Sequence, residues 1–112
     1  MESIVLRINQ KLIITPGVPI QVSRYPVLAT RVSVQTIGQG IVYLMDGIPY
    51  GVTPLPKGAG ANQLTAAFAP TTVPGSIYKD HDEDGIDLSQ MWFDGDTAGD
   101  AILISARMKP LK

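Results

Sequence analysis

Short runs in which apolar and polar residues alternate, each closed by glycine or proline, constrain this chain more than any other feature. The run Ala101 to Lys109 is the clearest example, and Pro110 ends it because proline has no N–H to donate to a sheet. A period of two sends successive side chains to opposite faces of a strand. One face would carry Ile102, Ile104, Ala106 and Met108, and the other Ala101, Leu103, Ser105 and Arg107. The first set is therefore predicted to face a core.

The same period recurs along most of the chain and indicates an all-β fold. In Ala29–Ile37, Val32 and Val34 are predicted to point inward, while Ile41–Met45 is apolar on both faces and suits a central strand or one covered by a partner. No segment has the apolar spacing of an amphipathic helix. Seven or eight short strands in 112 residues predict a single domain over 1–112, a compact antiparallel β-sandwich or barrel of Ig-like or jelly-roll-like type.

One long stretch, residues 47–77, departs from the strand pattern because it is rich in proline and glycine. A loop of this length in so small a domain is usually functional or disordered, and its apolar residues make disorder the weaker interpretation. It is predicted to be an ordered interaction loop that packs on the domain or on a neighbour, with one short strand at Leu64–Phe68. An N-terminal arm over 1–15 is predicted as a second such segment.

Two strands, Gln90–Phe93 and Ala101–Lys109, are predicted to be joined by an acidic turn over 94–100. The turn's aspartates would hydrogen-bond to their own backbone nearby. These aspartates are Asp94, Asp96 and Asp100. A carboxylate pair for glycosidic chemistry is the alternative, but no nucleophile elbow, phosphate-binding loop or zinc-ligand spacing accompanies it. The chain is therefore predicted not to be an enzyme, and no catalytic residue or cofactor is assigned.

The distribution of charge narrows the choice of partners. A formal net charge of −1 is unfavourable for binding to a nucleic-acid backbone, and no apolar run approaches the ~20 residues that span a bilayer. Residues 79–100 hold eight acidic residues against one lysine, so one region of the surface should be acidic. We predict neither a nucleic-acid partner nor a membrane partner.

The acidic region contains the motif DHDEDG at 80–85, which could hold a cation. Its alternating carboxylates resemble the start of a calcium loop, in which a hard cation takes several oxygen ligands. The candidate ligands are Asp80, Asp82, Asp84 and Asp87. An EF-hand also needs a glutamate at the twelfth position, which here is Met91. A solvated acidic loop is the favoured interpretation, with a weak calcium site as the alternative, and no metal site is assigned.

Aromatic residues offer a further possibility, a platform on which a sugar could stack. The candidates are Trp92, Tyr43, Tyr50 and Tyr78. In a small β domain such rings more often belong to the core or to an interface, so that role is favoured. The platform keeps open an alternative function, a carbohydrate- or receptor-binding module.

The short motifs within residues 86–107 follow a distinctive order. An apolar-D-L-S step is followed by a short aromatic strand, a D-G turn, and G-D before a final strand. The preceding segments have the same order: VSVQT at 32–36, glycines at 38 and 40, and an apolar strand at 41–44. This order resembles that of small structural proteins of tailed bacteriophages, and within that group the chain is most similar to the head decoration, or cement, proteins. If the resemblance lies instead with a phage tail or fibre, the carbohydrate- or receptor-binding module is the alternative.

That resemblance implies a β-rich protein without catalysis, often a homotrimer, which binds the major capsid protein on the outer surface of the head and stabilises it. The expected location is the virion, after synthesis in the host cytoplasm. Capsid or subunit contacts are hypothesised at the apolar residues of the two interaction segments. These are Ile4, Leu6, Leu55, Leu64, Phe68 and Val73. An apolar content of 45% with only 17% charged residues agrees with a packing role, since a typical chain is about 25% charged.

Overall fold

The computed structural model describes residues 7–60, 63–69, 76–79 and 85–108, with the backbone alone for 7, 8 and 76–79. These residues form two antiparallel sheets and contain no α-helix, which confirms the predicted all-β fold. Two single-turn 3₁₀ helices lie at Pro56–Gly58 and Leu88–Gln90. The strands are β1 (Arg7–Ile13), β2 (Ile20–Gln21), β3 (Leu28–Ile37), β4 (Val42–Met45), β5 (Ala66–Phe68), β6 (Ser76–Lys79), β7 (Ile86–Asp87), β8 (Trp92–Gly95) and β9 (Ala101–Met108).

The first sheet has the strand order β1-β9-β3-β6, and β7 also pairs with β3. Its two long strands, β3 and β9, are aligned in register, with Val34 opposite Ile104. Both of these side chains are buried, as are Val32 and Ile102, so the predicted inward face is confirmed. Burying an aliphatic side chain of this size stabilises the fold by about 1.5–3 kcal/mol. Within the predicted N-terminal arm, β1 is an edge strand of this sheet.

The second sheet has the strand order β2-β8-β4-β5. Val42, Leu44 and Phe93 point from it into the same core that the first sheet lines. As its sequence suggested, β4 is a central strand, flanked by β8 and β5. The short strand predicted at Leu64–Phe68 is present as β5, and β2 forms an edge.

The two C-terminal strands do not pair with each other, although the sequence suggested a simple strand–turn–strand unit. β8 belongs to the second sheet and β9 to the first, so the residues between them cross from one sheet to the other. β8 also begins at Trp92, and it extends through Asp94 and Gly95, which were predicted to lie in the turn. The reason is local packing: a Cβ at Gly95 would lie 2.8 Å from Ile14 Cγ2, so glycine allows the strand to pass this side chain closely.

The first part of the proline-rich loop covers the outer face of the second sheet. Met45 and Asp94 alternate with core residues and therefore point away from the core, yet both are completely buried. The 3₁₀ turn Pro56–Gly58 packs against β4 and β8, and Ile48 and Pro54 are buried beside them. The loop thus packs on its own domain, as one of the two sequence-based alternatives proposed.

Candidate interaction surface

The buried carboxylate of Asp94 fixes the position of two loops on the second sheet. Its Oδ2 accepts a hydrogen bond from the backbone N–H of Lys57 at 2.7 Å. Its Oδ1 accepts from the N–H of Gly17 at 3.1 Å and from that of Gly95 at 2.7 Å. Three amide donors satisfy an ionised group that would otherwise be costly to bury. The residue therefore connects the turn after β1, the proline-rich loop and β8.

Lys57 is adapted to this contact by an unusual backbone conformation. Its φ of 53° is the one positive value found for a non-glycine residue in the described part of the chain. A left-handed residue of this kind costs about 1–2 kcal/mol. The hydrogen bond to Asp94 offsets this cost, because the conformation aims the amide at the buried carboxylate. The hydrogen bond therefore holds the loop in one path across the sheet in spite of the strain at Lys57.

Polar side chains continue this connection at the surface. The Lys57 ammonium lies 3.2 Å from Asp96 Oδ1, and the Tyr43 hydroxyl donates to Asp96 Oδ2 at 2.9 Å. That hydrogen bond raises the pKa of Tyr43 above its ordinary value, with smaller contributions from burial and from the negative charge of Asp96 and Asp94. The ion pair is exposed to solvent and contributes ~1 kcal/mol or less.

The part of the loop that lies between β4 and β5 is closed by its own hydrogen bonds. The Leu55 N–H donates to the side-chain oxygen of Gln63 at 2.9 Å. At its far end the Thr65 N–H donates to the Leu44 carbonyl at 2.8 Å, and the Asp46 N–H donates to the Thr65 hydroxyl at 2.9 Å. A segment without long regular structure is in this way held at both ends and across its middle, which is how ordered loops satisfy their backbone groups.

Large apolar side chains project from this fastened loop into solvent. We call the set the apolar loop surface; it consists of Tyr50 (56% exposed), Val52 (46%), Leu55 (51%) and Leu64 (49%). Leu55 and Leu64 both approach Gly58, which donates its N–H to the Leu55 carbonyl and on which a Cβ would lie 2.8 Å from Leu64 Cβ. Apolar side chains grouped on an ordered surface are typical of interaction sites.

Of the six hypothesised contact residues, two are exposed on the loop, one packs against the core and three lie outside the described residues. Leu55 and Leu64 are both half-exposed and belong to the apolar loop surface. Phe68 instead packs against the core, with its ring centroid 6.4 Å from that of Phe93, a distance typical of aromatic pairs. The three others, Ile4, Leu6 and Val73, lie outside the described residues.

The acidic segment is described only at its end. Asp80, Asp82 and Asp84 lie outside the described residues. The Asp87 carboxylate accepts hydrogen bonds from the Ser89 N–H at 2.9 Å and the Ser89 hydroxyl at 2.7 Å, so it caps the 3₁₀ turn Leu88–Gln90. Within the described ranges, no group of three or more acidic, histidine or cysteine residues is arranged to hold a metal ion.

The three aspartates of the predicted turn make hydrogen bonds over a longer range than expected. Asp100 is buried and accepts from the N–H groups of Gln39 at 3.4 Å and Gly40 at 2.8 Å. Together with Asp94 and Asp96, it binds partners at least 37 positions away. The predicted local turn hydrogen bond is found at Asp94, which accepts from the Gly95 N–H, but all three carboxylates also contact residues from distant parts of the chain.

The aromatic candidates for a sugar platform are partly engaged elsewhere. Tyr43 and Trp92 lie on the outer side of the second sheet, with Tyr43 hydrogen-bonded to Asp96. The Trp92 Nε1 is buried without a hydrogen-bond partner among the described residues. Tyr50 belongs to the apolar loop surface, and the side chain of Tyr78 is not among those described.

Sequence reasoning missed two features of this region. The role of Lys57 as an anchor was not anticipated, and its position between Pro56 and Gly58 was the one available signal of an unusual backbone. Tyr50 and Val52 were not proposed as contacts.

The described residues include no helix that could cross a membrane. Comparison with protein-family models, with curated proteins and with solved structures gives no match for this chain.

Proposed function

We propose that the protein is a non-enzymatic structural protein of a phage virion, one that decorates the outside of the assembled head and stabilises it. The observation that carries this proposal is the apolar loop surface, four half-exposed side chains on a loop fastened to the second sheet. Such a loop loses little conformational entropy when it docks, so that more of the contact energy appears as affinity. The resemblance of residues 86–107 to phage structural proteins supplies the type of partner, the major capsid protein.

A homotrimer is part of the same proposal. Ile13 and Ile37 flank Ala101 in register on the outer face of the first sheet, and they are 51% and 44% exposed. Closed rotational symmetry would bury identical apolar patches of this kind. Light scattering on the purified protein measures the mass directly, and a monomer at every concentration tested would remove the trimer from the proposal.

The decoration role is tested by co-sedimentation with heads of a phage that encodes the protein, prepared from a strain with its gene deleted. The parent is expected to saturate the heads, whereas the double variant Leu55→Ser, Leu64→Ser should lose at least ~90% of the bound copies. Both side chains are exposed, so the free energy of unfolding should change by less than ~1 kcal/mol. Leu28→Ser, at a 41% exposed position in the first sheet, serves as the matched control and should bind like the parent.

Parental occupancy by the double variant, or failure of the parent to bind heads, would overturn the proposal. The competing function, a carbohydrate- or receptor-binding module, makes a different prediction. It requires glycan binding that is lost in Tyr43→Ala or Trp92→Ala while Leu55→Ser and Leu64→Ser leave it intact. A glycan array probed with these variants separates the two functions.

A further inference from the structure

The outer face of the first sheet carries an unusual pairing of like charges. Arg31 in β3 is the direct register partner of Arg107 in β9, and on the other side of β9 the partner of Arg107 is Arg7. Side chains directly opposite each other in an antiparallel pair lie about 5 Å apart, and like charges there are destabilising. The register of β3 and β9 thus places the positively charged Arg31 and Arg107 side by side on this face of the sheet.

Next to this row the sheet forms a hollow of about 190 Å³. The described residues that line it are Arg31, Ser33, Ser105 and Arg107, and none of these four carries a carboxylate. Ser33 and Ser105 are register partners, two pairs along from Arg31 and Arg107 and on the same face, and the Ser33 hydroxyl donates to the Ser105 carbonyl at 3.4 Å. Two guanidinium groups and two hydroxyls thus line one small space, and groups of both kinds donate hydrogen bonds to anions.

The hydrogen-bond donors of this lining indicate which class of anion would fit the hollow. Guanidinium groups bind phosphate and carboxylate oxygens through two parallel hydrogen bonds, and serine hydroxyls can donate to a further oxygen. A group with oxygens in several directions can use donors from both strands, whereas a planar carboxylate has two oxygens in one plane. Phosphate and sulfate groups therefore match the hollow better than a carboxylate does.

We propose that the hollow lined by Arg31, Ser33, Ser105 and Arg107 is a binding site for a phosphate or sulfate group. The site is on the first sheet, whereas the apolar loop surface is on the second, so it does not depend on the proposed decoration role. Arg31 takes part in a further interaction within the chain. Arg107 has no ion pair with any described residue, and it is therefore the residue whose replacement tests the site.

The test is a nuclear magnetic resonance titration of the full chain with inorganic phosphate at constant ionic strength. Saturable shifts of the Ser33 and Ser105 backbone amides are expected, with the same residues responding to sulfate but not to chloride. Arg107→Gln should weaken the phosphate affinity at least about fivefold, and Arg107→Lys should give an intermediate value because it keeps the charge without the two-pronged geometry. Arg24→Gln, in the exposed connector before β3, is the control and should leave the affinity unchanged.

Glycerol phosphate, titrated in parallel, separates a free anion from a phosphate ester as the source of the group. Binding of either compound, lost in Arg107→Gln, supports the site. Linear shifts that do not saturate, or shifts of the same size in Arg107→Gln and in the parent, would overturn it. Phosphate also stabilises proteins by exclusion from their surfaces, so a rise in melting temperature shared by Arg107→Gln and Arg24→Gln would likewise count against the site.

Discussion

The carboxylate of Asp94 and the backbone amide of Lys57 are joined by a 2.7 Å hydrogen bond across 37 positions of the chain, and Asp94 is completely buried. This one contact lets a segment without long regular structure lie against the second sheet in a single path. Tyr50, Val52, Leu55 and Leu64 are presented to solvent on the loop that it fastens.

Asp94→Ala is expected to destabilise the whole domain. The substitution leaves the N–H groups of Gly17 and Lys57 without their acceptor in a partly buried site, and an unsatisfied donor costs about 1–3 kcal/mol when it is fully buried. We therefore expect a loss of about 2–5 kcal/mol in the free energy of unfolding, measured by urea denaturation. Asp96→Asn removes a neighbouring but exposed carboxylate and is the control, with an expected loss below ~1 kcal/mol. Equal effects of the two substitutions would show that the buried contact is not the anchor.

A second prediction concerns the turn that Asp100 holds. Gly38 has a φ of 136°, and a Cβ there would overlap the Asp100 carboxylate. Gly99 also has a positive φ, 84°, but a Cβ there would meet nothing within 4 Å. Gly38→Ala should therefore lower the free energy of unfolding by at least ~1 kcal/mol more than Gly99→Ala does, because Gly99→Ala introduces backbone strain without an overlap. Thermal unfolding compares the two, and equal melting temperatures would contradict the predicted overlap.

Much of the fold could be predicted because strand periodicity is local. The alternation in Ala29–Ile37 and Ala101–Lys109 was enough to identify the buried faces of β3 and β9, since burial follows the two-residue repeat whatever the strand pairs with. The assignment of β8 and β9 to different sheets could not be predicted in this way. The segment between them has the composition of a tight turn, and composition does not determine which strands it joins.

The candidate surface was predictable in part for a similar reason. Apolar residues in a proline-rich loop are visible in the sequence, and Leu55 and Leu64 were proposed as contacts on that basis. The anchors were not visible, because an aspartate that caps its own turn and one that binds a loop 37 residues away have the same local sequence. Phe68 was assigned to a contact, yet it packs beside Phe93, a neighbour that only the sheet pairing brings close.

The third prediction tests the two faces of β9 with adjacent residues. Ile104 is 2% exposed and packs in the shared core, so Ile104→Asp buries an unpaired carboxylate and should cost several kcal/mol, comparable with a small domain's whole stability of ~5–15 kcal/mol. Leu103, on the opposite face, lines a hollow of about 500 Å³ that is open to solvent. Leu103→Asp should therefore leave a folded protein. Circular dichroism on heating measures both, and a stable Ile104→Asp variant would reverse the assigned faces.

The last prediction follows the hydrogen bond from Tyr43 to Asp96 through a change of pH. Because the Asp96 carboxylate accepts the phenolic proton at 2.9 Å, the neutral phenol is favoured and the pKa of Tyr43 is raised in the folded state. The stability from this bond is therefore fully present below the unfolded tyrosine pKa of ~10 and is lost as the pH rises through the higher folded pKa. Carbon-13 resonances of the tyrosine rings, followed from neutral to alkaline pH, give the folded pKa. Asp96→Asn should lower the pKa of Tyr43, whereas Asp46→Asn, which removes a carboxylate that does not contact Tyr43, should not. A Tyr43 titration that is identical in the parent and in Asp96→Asn would mean that the hydrogen bond does not form in solution.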